Sequence, residues 1–149
     1  MRKYTFVVVI YLIIQTIAAF AGDFDGSKPL SGITGKFIEI NPYKIIDDVD
    51  PDTVGLPKEF LIDFNARILR PSKDSLIRKT ITFKSIDHIE EKIILQGVDE
   101  GVEGIDDGLA WSLTISKKDG KAVLSASGNG VAYVVFGVCK PFKDDHHFY

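Results

Sequence analysis

Apolar and polar side chains alternate with a period of two through most of the chain after residue 58, which is the spacing of half-buried β-strands. Short polar turns join the alternating runs, which fall at residues 60–68, 77–84, 92–98, 109–116, 122–127 and 131–139. With one strand at 36–40, these six runs make about seven strands, which predict an antiparallel meander. Closing the meander into a small barrel of about seven to eight strands removes its exposed edges, so the predicted fold is an all-β, fully or partly closed barrel. A two-sheet sandwich is the alternative.

The region before this core is interrupted by glycine and proline at frequent intervals. Residues 22–58 are therefore predicted to be an N-terminal arm and irregular region of the same domain, with one strand at 36–40 and a further short extended piece at 43–46. Residues 59–140 form the predicted antiparallel β core, and 141–149 form a C-terminal tail.

The first 21 residues carry a different pattern. Two basic residues precede an apolar run at 6–14, and the segment closes on Ala19-Phe20-Ala21. A basic start, an apolar middle and small residues at the exit predict a secretory signal peptide at 1–21, and hence a periplasmic or secreted protein with no membrane span after cleavage. A membrane anchor is the alternative, although the segment is at the short limit for a span and no basic stop sequence follows it.

Composition narrows the class of partner. Cleavage after residue 21 would leave 128 residues, a length that suits one domain with its own core. That part carries 16 basic and 21 acidic residues, a net charge near −5. This balance disfavours nucleic acid and anionic membranes as partners, because both require a basic face, and it is compatible with a basic protein. Cys139 is the only cysteine, so an intramolecular disulfide is impossible, and its apolar strand predicts a buried, unreactive thiol.

An acidic segment before the β core has the spacing of a calcium loop. Asp48, Asp50, Asp52 and Glu59 occupy the first, third, fifth and twelfth positions, and alternate carboxylates can converge on one hard cation. Thr53 stands where such loops need a turn glycine, and no helix is predicted on either side. An exposed acidic loop without metal is the alternative, and no other cofactor is predicted.

Two further patterns bear on chemistry. Trp111 is the only tryptophan and lies in the apolar row of its strand, which predicts a core anchor or, alternatively, a platform for a ligand. The sequence shows no acid–base pair or activated nucleophile, so the protein is predicted not to be an enzyme.

The C-terminal part of the chain carries a resemblance. Residues 95–140 contain a Trp111-Ser112 strand, an Asp119-Gly120 turn and a closing Phe136-Gly137-x-Cys139. This segment resembles the C-terminal half of small exported bacterial proteins of unknown function, and the resemblance implies export but no activity.

A shorter part of the same segment resembles a second family. Ser125-Ala126-Ser127-Gly128, with Tyr133, is similar to the Ser-Gly-x-x-Tyr loop of periplasmic lysozyme inhibitors. Those proteins are eight-stranded barrels that insert the loop into the lysozyme cleft, so the resemblance implies that Ser125, Ser127, Gly128 and Tyr133 bind a basic protein. Four residues separate Gly128 from Tyr133 where the motif has two, and the family's disulfide cannot form with one cysteine.

The sequence thus predicts an exported, non-catalytic binding protein of unspecified role. One alternative is a lysozyme inhibitor that acts through the hairpin from Ser125 to Tyr133. The other is a carrier that holds a small apolar ligand inside the barrel, lined by Trp111, Phe83 and Tyr133.

Overall fold

The computed structural model describes residues 23–51, 56–75, 79–101 and 108–143. The predicted signal peptide lies outside these residues. Within them the chain forms nine strands: β1 (Leu30–Ile40), β2 (Ile45–Asp47), β3 (Glu59–Asp63), β4 (Ile68–Pro71), β5 (Ile81–Ile89), β6 (Lys92–Asp99), β7 (Leu109–Ser116), β8 (Lys121–Gly128) and β9 (Val131–Pro141). None of the described residues belongs to a helix long and apolar enough to span a membrane.

The strands form a closed antiparallel barrel. From β3 to β9 each strand pairs with the next along the chain, and β1 joins β3 on one side and β9 on the other. Eight strands therefore complete the barrel, and β2 pairs with the far end of β1 as an additional strand. The predicted all-β barrel is confirmed, and the sandwich alternative is not what the chain adopts.

Strand β1 begins earlier than the pattern of apolar residues predicted. It spans Leu30–Ile40, whereas only 36–40 had been expected to be extended. The first half of β1 is not evident from the apolar pattern because it contains Gly32, which has no side chain. The ring of its partner Phe60 occupies the space that a side chain would take. The register with β9 also shifts between Thr34 and Phe37, which interrupts the alternation.

The run at 60–68 was expected to be one strand and is instead a hairpin of β3 and β4. The Asp63 carboxylate accepts hydrogen bonds from the backbone N–H groups of Asn65 (3.0 Å) and Ala66 (2.9 Å), and this local cap turns the chain. Arg67 completes the turn in the left-handed region at φ 57°. The next hairpin also differs, because β5 extends to Ile89 and the turn falls at Glu90 rather than from residue 87 onward.

Most of the buried apolar side chains form one hydrophobic cluster. Its members are Leu30, Phe60, Ile62, Phe64, Leu69, Phe83, Ile93, Leu95, Trp111, Leu113, Ile115, Ala122, Ala126 and Cys139. Phe37, Leu61 and Val135 are buried as well. Cys139 is 1 % exposed, and burial raises the pKa of its thiol to about 12, so it is the buried, unreactive cysteine that the sequence predicted.

The N-terminal arm before β1, residues 23–29, packs against the barrel. Phe24 packs against the core and lies so close to the β7–β8 turn that a Cβ atom built on Gly120 would be 2.6 Å from its ring. A Cβ atom on Gly26 would likewise lie 3.3 Å from Ile93 and 3.4 Å from His88. The Phe142 N–H donates to the Pro29 carbonyl at 3.0 Å and ties the arm to the end of β9.

Candidate ligand-binding cavity

Small residues occupy the inner face of the barrel at neighbouring positions. Directly opposed residues of antiparallel strands point to the same face, so Trp111, Ala126 and Tyr133 share the interior, as do Ala122 and Gly137. Where alanine and glycine stand beside one another, the side chains across the barrel do not close the gap. The sequence therefore builds a cavity rather than a solid core at this level.

The cavity has a volume of about 290 Å³. Its lining is largely apolar: Thr34, Leu56, Pro57, Phe60, Leu69, Lys79, Ile81, Asp99, Gly101, Leu109, Trp111, Leu113, Ala122, Leu124, Ala126, Val135 and Gly137. Asp99 ends β6 and Leu109 begins β7, and from these strand ends the lining continues along β7 and β8 to Leu113 and Ala122.

Two aromatic rings of the cavity wall lie over cross-strand glycines. Trp111 is the partner of Gly97, and a Cβ atom built on Gly97 would lie 2.5 Å from Cζ2 of the indole. Phe60 lies over Gly32 in the same way. Each glycine lets a large ring lie flat against the opposite strand, which leaves the centre of the barrel open.

One polar atom in this wall is buried without a partner. The Trp111 side chain is 8 % exposed, and among the residues that the structure describes its Nε1–H is the buried side-chain donor that finds no acceptor. Indole can only donate, and leaving a buried donor unsatisfied costs about 1–3 kcal/mol. The indole nitrogen has less than 1 Å² of accessible surface and lies beside Gly97 of β6, so this donor is closed off from the cavity.

An ion pair stands at one edge of the cavity. This edge is formed by Lys79, Asp99 and Gly101, and we call it the mouth. The Lys79 ammonium donates to the Asp99 carboxylate, and the Gly101 N–H donates to the same carboxylate oxygen at 3.0 Å. Burial alone would raise the pKa of Asp99, but these two hydrogen bonds and the nearby lysine charge hold the pKa below its ordinary value. The mouth therefore carries two opposite charges that balance one another.

The structure brings only one of the three predicted carrier residues to the cavity. Trp111 lines it, as predicted for a ligand platform. Phe83 is 1 % exposed and belongs to the packed core. The Tyr133 ring packs against Phe37, with 5.7 Å between ring centroids, and burial, with a smaller effect of the Glu39 charge, raises the pKa of its hydroxyl. Neither Phe83 nor Tyr133 is among the described lining residues.

The residues of the predicted inhibitor hairpin fall on different faces. Tyr133 opposes Ala126 on the inner face, so the alternation of β8 places Ser125 and Ser127 on the outer face. Gly128 lies against the Gly108 carbonyl, and the exposed tip is Asn129-Gly130, both with positive φ. The hairpin therefore does not present the two serines and the tyrosine on one surface, and the inhibitor function stays a prediction without support from this placement.

The predicted calcium residues are not gathered in the described structure. Asp50 forms an ion pair with Lys58 at 3.2 Å, and Glu59 is exposed at the start of β3, opposite Ile33. Asp48 adopts the left-handed conformation at φ 61°, and Asp52 lies outside the described residues. In the described part of the chain, no three histidine, cysteine, aspartate or glutamate side chains are placed to hold a metal ion.

Sequence reasoning missed the small residues that make the cavity and the ion pair at its mouth. A signal for the first was present, because Ala122 and Ala126 fall on the inward row of β8, where the neighbouring strands carry large side chains. No signal joined Lys79 to Asp99, because the two are 20 positions apart and meet only through the pairing of β5 with β6.

Comparison with protein-family models, with curated proteins and with solved structures found no significant match. The class of protein is therefore given by its own structure: a closed antiparallel barrel with an interior cavity. The resemblances noted for residues 95–140 remain predictions.

Substituting Gly97 by alanine is expected to disturb the cavity through Trp111. The new Cβ atom would overlap the indole, so the ring must leave its position over β6, and overpacking of this kind costs about 1–3 kcal/mol. We expect a lower melting temperature and a change in tryptophan emission, both measurable on the purified protein. Trp111→Phe in the same background should relieve much of the loss, whereas additive effects of the two substitutions would contradict the proposed contact.

Proposed function

We propose that the protein binds a small, uncharged, apolar molecule inside the barrel and acts by binding rather than by catalysis. The cavity of about 290 Å³, lined mainly by aliphatic and aromatic side chains, is the observation that carries this proposal. An apolar cavity of about 150 Å³ already accepts benzene, and ligand sites in general begin near 300 Å³. The space therefore suits a compact molecule larger than a single unsubstituted ring.

The charges at the mouth favour a neutral ligand. Lys79 and Asp99 already neutralise one another, so an anionic group would have to lie beside the Asp99 carboxylate and a cationic group beside the Lys79 ammonium. Either arrangement places a ligand charge beside a protein charge of the same sign and removes it from water at the edge of an apolar interior, which is unfavourable. A ligand without charge avoids that cost and gains from the apolar lining.

The expected affinity follows from the apolar surface removed from water. A ligand with about nine carbon atoms gains roughly 7 kcal/mol by leaving water. The entropy lost on association offsets part of this gain, so we expect a dissociation constant on the order of 0.1–1 mM. A better-fitting natural ligand would bind more tightly, because it would fill more of the space. Delivery of the protein to the periplasm or the exterior remains part of the proposal and rests on the predicted signal at residues 1–21.

α-Methylstyrene is a suitable probe, since it is neutral, apolar, compact and soluble near the millimolar range. At a concentration of about 1 mM it should stabilise the mature protein by roughly 0.4–1.4 kcal/mol for a dissociation constant of about 1–0.1 mM, a rise in melting temperature of about 1–4 °C. A titration followed by two-dimensional NMR should shift signals of residues around Trp111. A melting temperature and spectrum that do not change with saturating probe would overturn the proposal.

A further inference from the structure

The mouth of the cavity has a chemistry of its own, and we propose that the ligand is a neutral alcohol whose hydroxyl group binds the Lys79–Asp99 ion pair while its apolar part fills the cavity. This inference rests on the proposed function and goes beyond it by naming the polar group of the ligand and the place where that group binds. The observation that carries it is an ion pair with unused hydrogen-bonding capacity at the edge of an apolar space.

The mouth lies where the pairing of β5 with β6 has ended. The last paired residues are Phe83 and Gly97, and beyond them β5 pairs with β4 and β6 pairs with β7, but the two strands do not pair with one another. Lys79, just before β5, and Asp99, at the end of β6, are joined there through their side chains. An ion pair therefore takes the place of the backbone ladder at this point of the barrel wall.

A second, mostly polar space meets the cavity at the mouth. Both spaces are lined by Lys79, Ile81, Asp99 and Gly101. The second space adds exposed polar side chains, which are Thr80, Thr82, Lys84 and Glu100. The side chain of Lys79 is 54 % exposed and that of Asp99 is 25 % exposed, so both charged groups border water as well as the apolar cavity. A molecule bound here would hold its apolar part inside and its polar part at this boundary.

The ion pair leaves hydrogen-bonding capacity of both signs. The Lys79 ammonium and the Gly101 N–H both donate to the same oxygen of Asp99, Oδ1, the second at 3.0 Å. The other oxygen, Oδ2, accepts no hydrogen bond from the described residues, and within them the ammonium uses one of its three N–H groups. Hydrogen bonds to charged groups are about twice as strong as those between neutral groups. The mouth therefore offers a strong acceptor and a strong donor side by side.

A hydroxyl group matches this pair because it donates and accepts at once. It can donate to Asp99 and accept from Lys79, and it adds no charge to a site where two charges already balance. A ketone or an ether only accepts, so it would cover the Asp99 carboxylate without bonding to it. A wholly apolar ligand would cover both groups, and taking polar groups out of water without a partner costs free energy. An alcohol avoids both losses.

Three probes of nearly the same shape test this inference: 1-phenylethanol, acetophenone and α-methylstyrene. The first donates and accepts, the second only accepts, and the third does neither. Because water solvates a hydroxyl group better than a methylene group, the alcohol would bind more weakly than α-methylstyrene if it found no partner in the protein. We expect 1-phenylethanol to bind at least as tightly as α-methylstyrene and more tightly than acetophenone, in titrations followed by two-dimensional NMR.

The variant Lys79→Met/Asp99→Leu removes the ion pair and leaves no unpaired charge. Relative to α-methylstyrene, 1-phenylethanol should bind this variant about tenfold more weakly than it binds the natural protein, which corresponds to about 1.4 kcal/mol. Lys36→Met/Asp47→Leu is the matched control, because it removes an exposed ion pair of 2.9 Å between β1 and β2 whose residues are not among the described lining residues. It should leave the affinity ratio unchanged. If the first variant folds poorly, Asp99→Asn should change the ratio in the same direction by a smaller factor.

The outcomes separate the two proposals. If α-methylstyrene does not bind the natural protein, the proposed function fails, and this inference fails with it. If α-methylstyrene binds, but the affinity ratio of 1-phenylethanol to α-methylstyrene is the same with and without the ion pair, the cavity binds ligands and the alcohol inference is overturned. Acetophenone that binds as tightly as 1-phenylethanol would overturn it as well, because an acceptor alone would then suffice.

Discussion

The double variant Ala122→Leu/Ala126→Leu is expected to lose binding of α-methylstyrene while it keeps or gains thermal stability. Both alanines point into the cavity from β8 and are nearly fully buried. Leucine at these positions places new side-chain carbons where the ligand would lie. Filling an existing void commonly adds about 0.5–2 kcal/mol of stability, so the loss of binding should not reflect unfolding.

The control places the same side chains on the other face of the same strand. Ser125→Leu/Ser127→Leu changes two small residues of β8 that point outward, and it should leave both the affinity and the cavity unchanged. Isothermal titration and melting temperature, measured on both variants, decide the matter. Undiminished binding by the alanine double variant would place the ligand elsewhere. If the double variant does not fold, Ala126→Leu alone should still weaken binding by a measurable, smaller factor.

Phe83→Ala is expected to cause a large loss of stability, about 3–5 kcal/mol, a substantial fraction of the total for a domain of this size. Phe83 is 1 % exposed, and its backbone N–H donates to the Arg67 carbonyl at 3.0 Å. Phe83 directly follows the two residues of β5 that pair with β4. With two opposed positions, this β4–β5 pairing is the shortest between described strands. Removing its ring therefore weakens the barrel where few backbone hydrogen bonds hold it.

Phe136→Ala is the matched control, because it makes the same chemical change at a ring that is 44 % exposed on the outer face of β9. That variant should lose less than about 1 kcal/mol. Urea unfolding of both variants gives the comparison, and hydrogen exchange should show faster opening at Leu69 and Ile81 in Phe83→Ala. Similar losses from the two substitutions would contradict the idea that the β4–β5 pairing depends on Phe83.

The all-β barrel could be predicted from sequence because most strands are half-buried and alternate strictly. Where the strand bounds differ from the prediction, in β1 and in the hairpin of β3 and β4, the difference has a local physical cause. Asp63 caps a turn with its own carboxylate inside an uninterrupted alternating run, so the hairpin of β3 and β4 looks like one strand. In β1, Gly32 contributes no side chain because the ring of Phe60 occupies that space. A pattern of apolar residues does not record either effect.

The cavity could be predicted only in part. Trp111 was identified as a possible ligand platform, and Ala122 and Ala126 were visibly small. Whether small residues create a space depends on what stands opposite them across the barrel, and that depends on strand register. Gly137 faces Ala122 only because β9 pairs with β8 at that register. Register is set by the whole sheet, which a single strand's sequence does not determine.

The pairing of β1 with β9 has a consequence for how the molecule forms. These strands come from the two ends of the described chain, and Leu30 lies opposite Pro141. Bringing such distant segments together carries a high entropic cost before any contact compensates it, so barrels of this kind fold slowly, typically within milliseconds to seconds. Because the N-terminus of a chain leaves the ribosome first, β9 is the last strand to appear. The barrel cannot close, and the inner faces of β1 to β8 stay incompletely covered, until β9 is complete. A truncation within β9 would therefore remove the closure of the whole barrel as well as the strand.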